Sequence, residues 1–224
     1  MATAKKDRKE KNPAKEETVR VCITPLRKAS TVIEIVGEAP YVQCKMSQKY
    51  IDDIKFSQMQ GDTAKKKKRE PKDFKAAYEG AKHFSTEGWI GIPAAAFRNA
   101  MIDVCRVANF VMTKAKMSIE VTPDGFEDDG TPLVRIVGKP KYAEHVVRIK
   151  NTVDIRARPM WVKWSAKVLV TWDRDQFTLE DIYNLMHRAG QQVGIGEGRM
   201  FSKDSNGMGW GKFGIANELT EEAA

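Results

Sequence analysis

Cysteine and long apolar runs are what this sequence has least of. Three cysteines occur in 224 residues. Cys22, Cys44 and Cys105 are too far apart for a CxxC pair and too few for a disulfide framework, so they read as reduced core residues of a cytoplasmic protein. No apolar run approaches the roughly 18 residues needed to span a bilayer. The opening stretch MATAKKDRKEKNPAKEE has no signal-peptide character, so neither a membrane nor export is expected. Hydrophobic residues still make up 42% of the chain, enough for one substantial domain.

Charge is plentiful and biased. A net charge of +8 favours a polyanionic partner. Residues 1–17 hold six basic and four acidic side chains, a polar tail of little bias. Residues 61–75 hold seven basic and three acidic, with an unbroken basic run from Lys65 to Arg69. Residues 139–174 hold nine basic and three acidic. The cationic excess therefore falls on loop and strand, not on the tail alone.

TVRVCITPL places Val19, Val21 and Ile23 on one face of a short strand. STVIEIVGEAPYVQCKM continues as a second extended segment interrupted at Gly37 and Pro40. Residues 47–88 are polar and lysine-rich and read as an inserted, partly mobile loop. In GIPAAAFRNAMIDVCRVANF, Pro93 suits the first turn of a helix. Phe97, Met101, Val104 and Ala108 then form its apolar stripe, with Arg98, Arg106 and Asn109 off it. KMSIEV and PLVRIVG read as strands joined by the turn-rich TPDGFEDDGTP.

Two basic segments follow. In residues 146–158, Val147, Ile149, Val153 and Ile155 share one strand face, and Arg148, Lys150, Arg156 and Arg158 the other. In residues 161–172 the even positions are all apolar, while the odd ones include Trp161, Lys163 and Lys167. Paired, these strands make a sheet with a buried face and a cationic face carrying an aromatic. That face suits nucleic acid, with an ordinary solvated surface or a protein contact as the alternatives. TLEDIYNLMHRAG then reads as a helix capped by Thr178 with Asp181. Leu179, Ile182, Leu185, Met186 and Ala189 are its buried face, and Gly190 suits the position past its end.

The segment GIGEGRMFSKDSNGMGWGKF, residues 194–213, holds six of the sixteen glycines. Such a cluster implies positive φ angles or close backbone approach. It is not a dinucleotide fingerprint, because it reads GxGxG and lies between a helix and a strand. It is not a Walker loop either, since Phe213 follows Lys212 where Ser or Thr belongs. A kinase loop would sit near the start of its domain. Two readings stay open: the amides approach phosphates, with Arg199, Lys203 and Lys212 adding charge, or the loop packs on the first helix and closes the fold.

The order strand, helix, strand, strand, helix, glycine loop, strand is that of an α+β, ferredoxin-like βαββαβ core with insertions. Gly194-Ile195-Gly196 and Gly207-Met208-Gly209, with the start WIGIPAAAFRNAMIDVCR, resemble the RAMP superfamily of CRISPR-associated RNA-binding proteins. Within that superfamily the likeness is to the backbone subunit of effector complexes, which coats guide RNA as a filament. Ten residues separate the two glycine halves, more than the family's usual spacing. The resemblance implies a single domain over residues 18–217, between the 1–17 tail and an acidic 218–224 tail. The thumb hairpin of the family would correspond to part of residues 139–172. It implies self-association or assembly with other effector-type subunits, and a single-stranded RNA or DNA ligand. The resemblance and the basic faces together give the expected contacts. Arg27, Lys28 and Arg98 belong to the first loop and helix. Arg148, Lys150, Arg156, Arg158, Trp161, Lys163 and Lys167 belong to the basic strands. Gly194, Gly196, Arg199, Lys203, Gly207, Gly209 and Lys212 belong to the glycine loop.

No catalysis, metal or cofactor is expected. His83 is the one candidate for the acid–base histidine of the family's processing nucleases, and it lies in a region read as loop. The loop TPLRKAST lacks the aspartate with which some backbone subunits cleave RNA. Glu127, Asp128 and Asp129 read as a solvated hairpin tip without His or Cys partners. The competing functions are a phage or mobile-element structural protein that keeps the fold, and a single-stranded DNA-binding or annealing protein.

Overall fold

Alternation of apolar residues over residues 28–37 and 165–173 builds the centre of the molecule. The computed structural model of the chain describes residues 23–60, 71–149, 152–202 and 207–216. Both terminal tails, Val19 and Val21 of the first expected strand, the basic run from Lys65 to Arg69, Lys150 and Lys203 lie outside the described residues.

The elements in chain order are β1 (Lys28–Gly37), β2 (Tyr41–Val42), α1 (Gln48–Gln60), α2 (Phe74–Glu79), β3 (Gly91–Pro93), α3 (Ala94–Val107), α4 (Met112–Ser118), β4 (Ile119–Thr122), β5 (Gly125–Phe126), β6 (Pro132–Val137), β7 (Lys141–Ile149), β8 (Thr152–Trp161), β9 (Ser165–Asp173), α5 (Leu179–Arg188) and β10 (Phe213–Ile215). A π-helical turn, Ala189–Val193, extends α5. The fold is α+β, and every strand pairing is antiparallel. The larger sheet runs β10-β1-β9-β6-β3, with β4 also on β9 and β5 on β6. A smaller sheet runs β2-β8-β7.

The even residues Trp164, Ala166, Val168, Val170 and Trp172 are buried as their spacing predicts. They meet Ile33 and Ile35 of β1 and the helical faces of Phe97, Met101 and Val104 in α3 and Ile182 and Met186 in α5. Each Val, Ile, Phe or Met among them contributes about 1.5–3 kcal/mol by leaving water. Helix α5 begins with the expected capping box: Asp181 N–H donates to Thr178 Oγ1 at 3.1 Å and Thr178 N–H to Asp181 Oδ2 at 2.9 Å.

Four expectations about these elements are corrected. Residues 47–88 contain two helices, not only loop. Asp73 caps α2 by accepting from Ala76 N–H at 2.9 Å, and Tyr78 packs its ring 5.2 Å from Tyr142. Polar surface with little periodicity hid both. Residues 146–158 and 161–172 do not pair with each other. The first stretch is itself a hairpin of β7 on β8, while β9 pairs with β1, β4 and β6. Trp161 is fully buried, its ring 5.6 Å from Tyr41, because the break between β8 and β9 shifts the alternation by one residue. Gly190 lies inside the π turn against Phe213, and the left-handed residue that ends the helix is Gly194, with φ 74°.

Candidate nucleic-acid interface

The glycine loop returns from the π turn across the start of α3 and leaves a cleft of about 340 Å³ between them. Its floor is Tyr41 and Gln43, and its walls include His83, Pro93, Ala96, Arg156, Arg199 and Ser202. A smaller recess of about 110 Å³ continues along α3 past Asn99 and Asp103. Ala96, Gly196 and Arg199 line both. Small side chains at the start of α3 are what leave this space beside the loop backbone. Gln43 is fully engaged and fixes the floor: its Nε2 donates to Gly91 O at 2.7 Å, and its Oε1 accepts from His83 N–H at 3.0 Å.

All six glycines of the loop have positive φ, between 65° and 81°. They do two kinds of work. A Cβ on Gly196 would stand 2.5 Å from the Val42 carbonyl oxygen, and one on Gly198 2.5 Å from the Trp210 ring. One on Gly211 would overlap the Ile195 carbonyl. These glycines let the loop pack on the protein. Gly207 and Gly209 have open space where a Cβ would project. Close packing and open Cβ space are therefore divided between parts of one loop.

Arg156 and Arg158 do not form an outward cationic face. Register places His145 opposite Arg156 and Ala143 opposite Arg158, on the face toward the loop. Arg156 Nη1 donates to Glu197 Oε1 at 2.6 Å, and Arg158 Nε to Glu197 Oε2 at 2.8 Å. Burial pushes the Glu197 carboxyl up, but the hydrogen bonds and charges of Arg158 and Arg156 outweigh it and hold the group below its ordinary value. Val153 and Ile155, expected in the core, are exposed. Arg148 stands opposite Val153 in the ladder.

The other expected contacts are dispersed. Arg27 pairs with Asp175, and Lys28 with Glu120 at 3.3 Å. Lys167 pairs with Glu34 at 2.6 Å on the open face of the larger sheet. Arg98 braces the turn into β4, donating to Ile119 O at 2.8 Å and to Lys116 O. Lys163 is exposed between β8 and β9. Lys212 is half-buried, and its carbonyl accepts from Glu38 N–H at 2.9 Å. Arg199 reaches Gly196 O at 3.1 Å and Phe201 O at 3.2 Å, bracing the loop it belongs to. Arg156, Gly194, Gly196 and Arg199 are the expected residues that the two cavities bring together.

One acidic residue was misplaced by sequence reading. Glu127 is 4% exposed, not part of a solvated tip. His83 Nδ1 lies 2.9 Å from its Oε1 and Lys45 Nζ 2.9 Å from its Oε2. Burial lowers the His83 pKa, which favours the neutral ring, although the Glu127 charge opposes this. Partners 44 residues apart leave no local signal. Glu197 did leave one, as an acid set between two glycines opposite a basic strand. No protein-family model matches the chain, and no curated protein sequence matches it.

Proposed function

We propose that this chain is a RAMP-like protein that binds single-stranded nucleic acid, with RNA as the first choice, in the cleft between α3 and the glycine loop. The observation that carries this reading is the cleft itself: loop backbone with positive φ on one side, Ala96 and Asn99 of α3 on the other, and Arg156 and Arg199 in the wall. Backbone amides and guanidinium groups are the donors that position a phosphate chain. The finer fold reading, a ferredoxin-like βαββαβ core, is supported by the strand order. In it β1, α3, β4 with β6, β9, α5 and β10 take the six places in turn, and the β7–β8 hairpin is the insertion. The role is binding without cleavage, as one copy in an assembly along the strand.

A cleavage reading has one observation on its side, since His83 lines the cleft and has a carboxylate partner. Incubating end-labelled RNA with and without magnesium separates the two. Intact RNA supports the binding role, and cleavage abolished by His83→Ala would replace it with an enzyme.

The site is tested by photo-crosslinking a 4-thiouridine-containing single strand and mapping the attached peptides. Crosslinks are expected in residues 194–202, in residues 207–212 and at the start of α3. Crosslinks confined to the open face of the larger sheet, around Val32 and Lys167, would move the site there.

A further inference from the structure

We propose that Arg156 in the wall of the cleft and Arg158, joined to it through Glu197, form a phosphate seat, and that Glu197 occupies this seat until a nucleic-acid phosphate displaces it. The proposal rests on the reading that the cleft binds a single strand, and adds how its affinity is set. Each carboxylate oxygen of Glu197 takes one arginine, at 2.6 and 2.8 Å. A guanidinium presents the same planar donors to a phosphate as to a carboxylate, so one anion can substitute for the other without rebuilding the site.

Charge favours the exchange. Among the described residues the local network holds three cations, Lys72, Arg156 and Arg158, against two carboxylates, Asp154 and Glu197. Lys72 and Asp154 pair with each other at its edge. The two arginines share Glu197, whose side chain is 11% exposed, and Asp154 adds only a longer contact to Arg156 at 3.8 Å. A surplus positive charge on arginines whose side chains are 30% and 16% exposed attracts a further anion. Nearby groups do not supply it. Cys44 is exposed, not in the core as expected, but desolvation by its surroundings pushes its thiol up, toward the neutral form. His145, 3.7 Å from Glu197, is nine-tenths buried, and burial lowers its pKa toward the neutral ring.

The seat is also reachable. Arg156 and Glu197 both line the cleft. Glu197 N–H donates to Val42 O at 2.9 Å, which anchors the loop backbone. Displacement therefore needs rotation of one side chain, with Gly196 and Gly198 on either side adding no bulk. A phosphodiester that enters brings its own negative charge to the arginines and releases Glu197 toward solvent.

The test is fluorescence anisotropy of a labelled oligouridylate of about 12 nucleotides, with the full chain, at about 50 and about 200 mM salt. Glu197→Gln is expected to bind about tenfold more tightly than wild type, with a steeper salt slope, because a resident competitor has lost its charge. Arg156→Ala is expected to weaken binding and to abolish the gain when combined with Glu197→Gln. A Glu197→Gln protein of wild-type melting temperature that binds no better would overturn the proposal, make Glu197 a structural clamp, and leave the cleft reading intact. Failure of wild type and every variant to bind would remove the cleft reading, and this proposal with it. Should Glu197→Gln not fold, the arginine Nε–H signals of the wild type decide by NMR. Arg156 and Arg158 signals that shift together on adding the oligouridylate support the seat; signals that stay fixed while those of the loop move overturn it.

Discussion

Gly211 packs so closely on the carbonyl of Ile195 that any side chain there would overlap it, and this contact ties the end of the glycine loop to its beginning. Ile195 N–H in turn donates to Gly211 O at 3.1 Å. The loop is closed on itself at this point and open at Gly207 and Gly209. A helix and a strand are thereby joined by a loop whose two ends are tied together, with open Cβ space at Gly207 and Gly209 between them.

This division changes what alanine should do along the loop. At Gly207 or Gly209 the cost is that of a positive φ alone, about 1–2 kcal/mol, and the protein should stay folded while losing affinity for single strands. At Gly196 or Gly211 overlap with main-chain carbonyls adds to that cost, and melting temperature should fall well below that of the Gly207 and Gly209 variants. Thermal denaturation of the four single variants checks the order. Equal losses at all four positions would mean that the loop is not divided in this way. Nothing local in the sequence distinguishes Gly196, which faces Val42 and Tyr41, from Gly209, which has open space around it.

Trp161 should behave as core, not as a stacking platform. It is fully buried, and its ring packs on Tyr41 in the smaller sheet. Trp161→Ala is expected to cost about 3–5 kcal/mol of stability, and Trp161→Phe much less, with binding by the Phe variant near wild type. A Phe variant of unchanged stability that lost most affinity would return Trp161 to the ligand.

Acid should destabilise the fold through two histidines. Burial lowers the pKa of both His83 and His145, so the unfolded chain binds protons more readily than the folded one. Stability from this source is fully present above the ordinary imidazole value of about 6.5 and is drawn down as pH falls below it, through the depressed folded values. The slope should not exceed about 1.4 kcal/mol per pH unit for each histidine. Chemical denaturation between pH 7.5 and 5.5, taken here as about one unit either side of the reference value, should show a decline that shallows in His83→Asn. A decline unchanged by that substitution would place the protons elsewhere.

Much of the framework was legible because its signals are local. The apolar alternation from Trp164 to Trp172, the stripe of α3, the capping box of Thr178 and Asp181, and the left-handed glycines all depend on residues near in sequence. The faces of the β7–β8 hairpin were not legible. Both of its faces carry alternating patterns, and which one meets the loop is decided by Glu197, 39 residues after Arg158. A single-residue shift at the strand break likewise sent Trp161 inward. The buried pair of His83 and Glu127 depends on β5 and the β3 approach meeting beneath Gln43, a purely tertiary event.

The most direct measurement is a binding titration of labelled single-stranded RNA against wild type and Ala96→Glu, with single-stranded DNA and duplex as comparisons. Ala96 is half-buried at the edge of the core and lines both cavities, so a carboxylate there places negative charge inside the cleft. Wild type is expected to bind the single strand better than duplex, with affinity falling steeply between about 50 and about 200 mM salt. Ala96→Glu, folded by circular dichroism, is expected to lose at least about tenfold in affinity, the scale of roughly 1.4 kcal/mol. Absence of single-strand binding by the wild type, or unchanged binding by a folded Ala96→Glu, would contradict the assignment of the cleft.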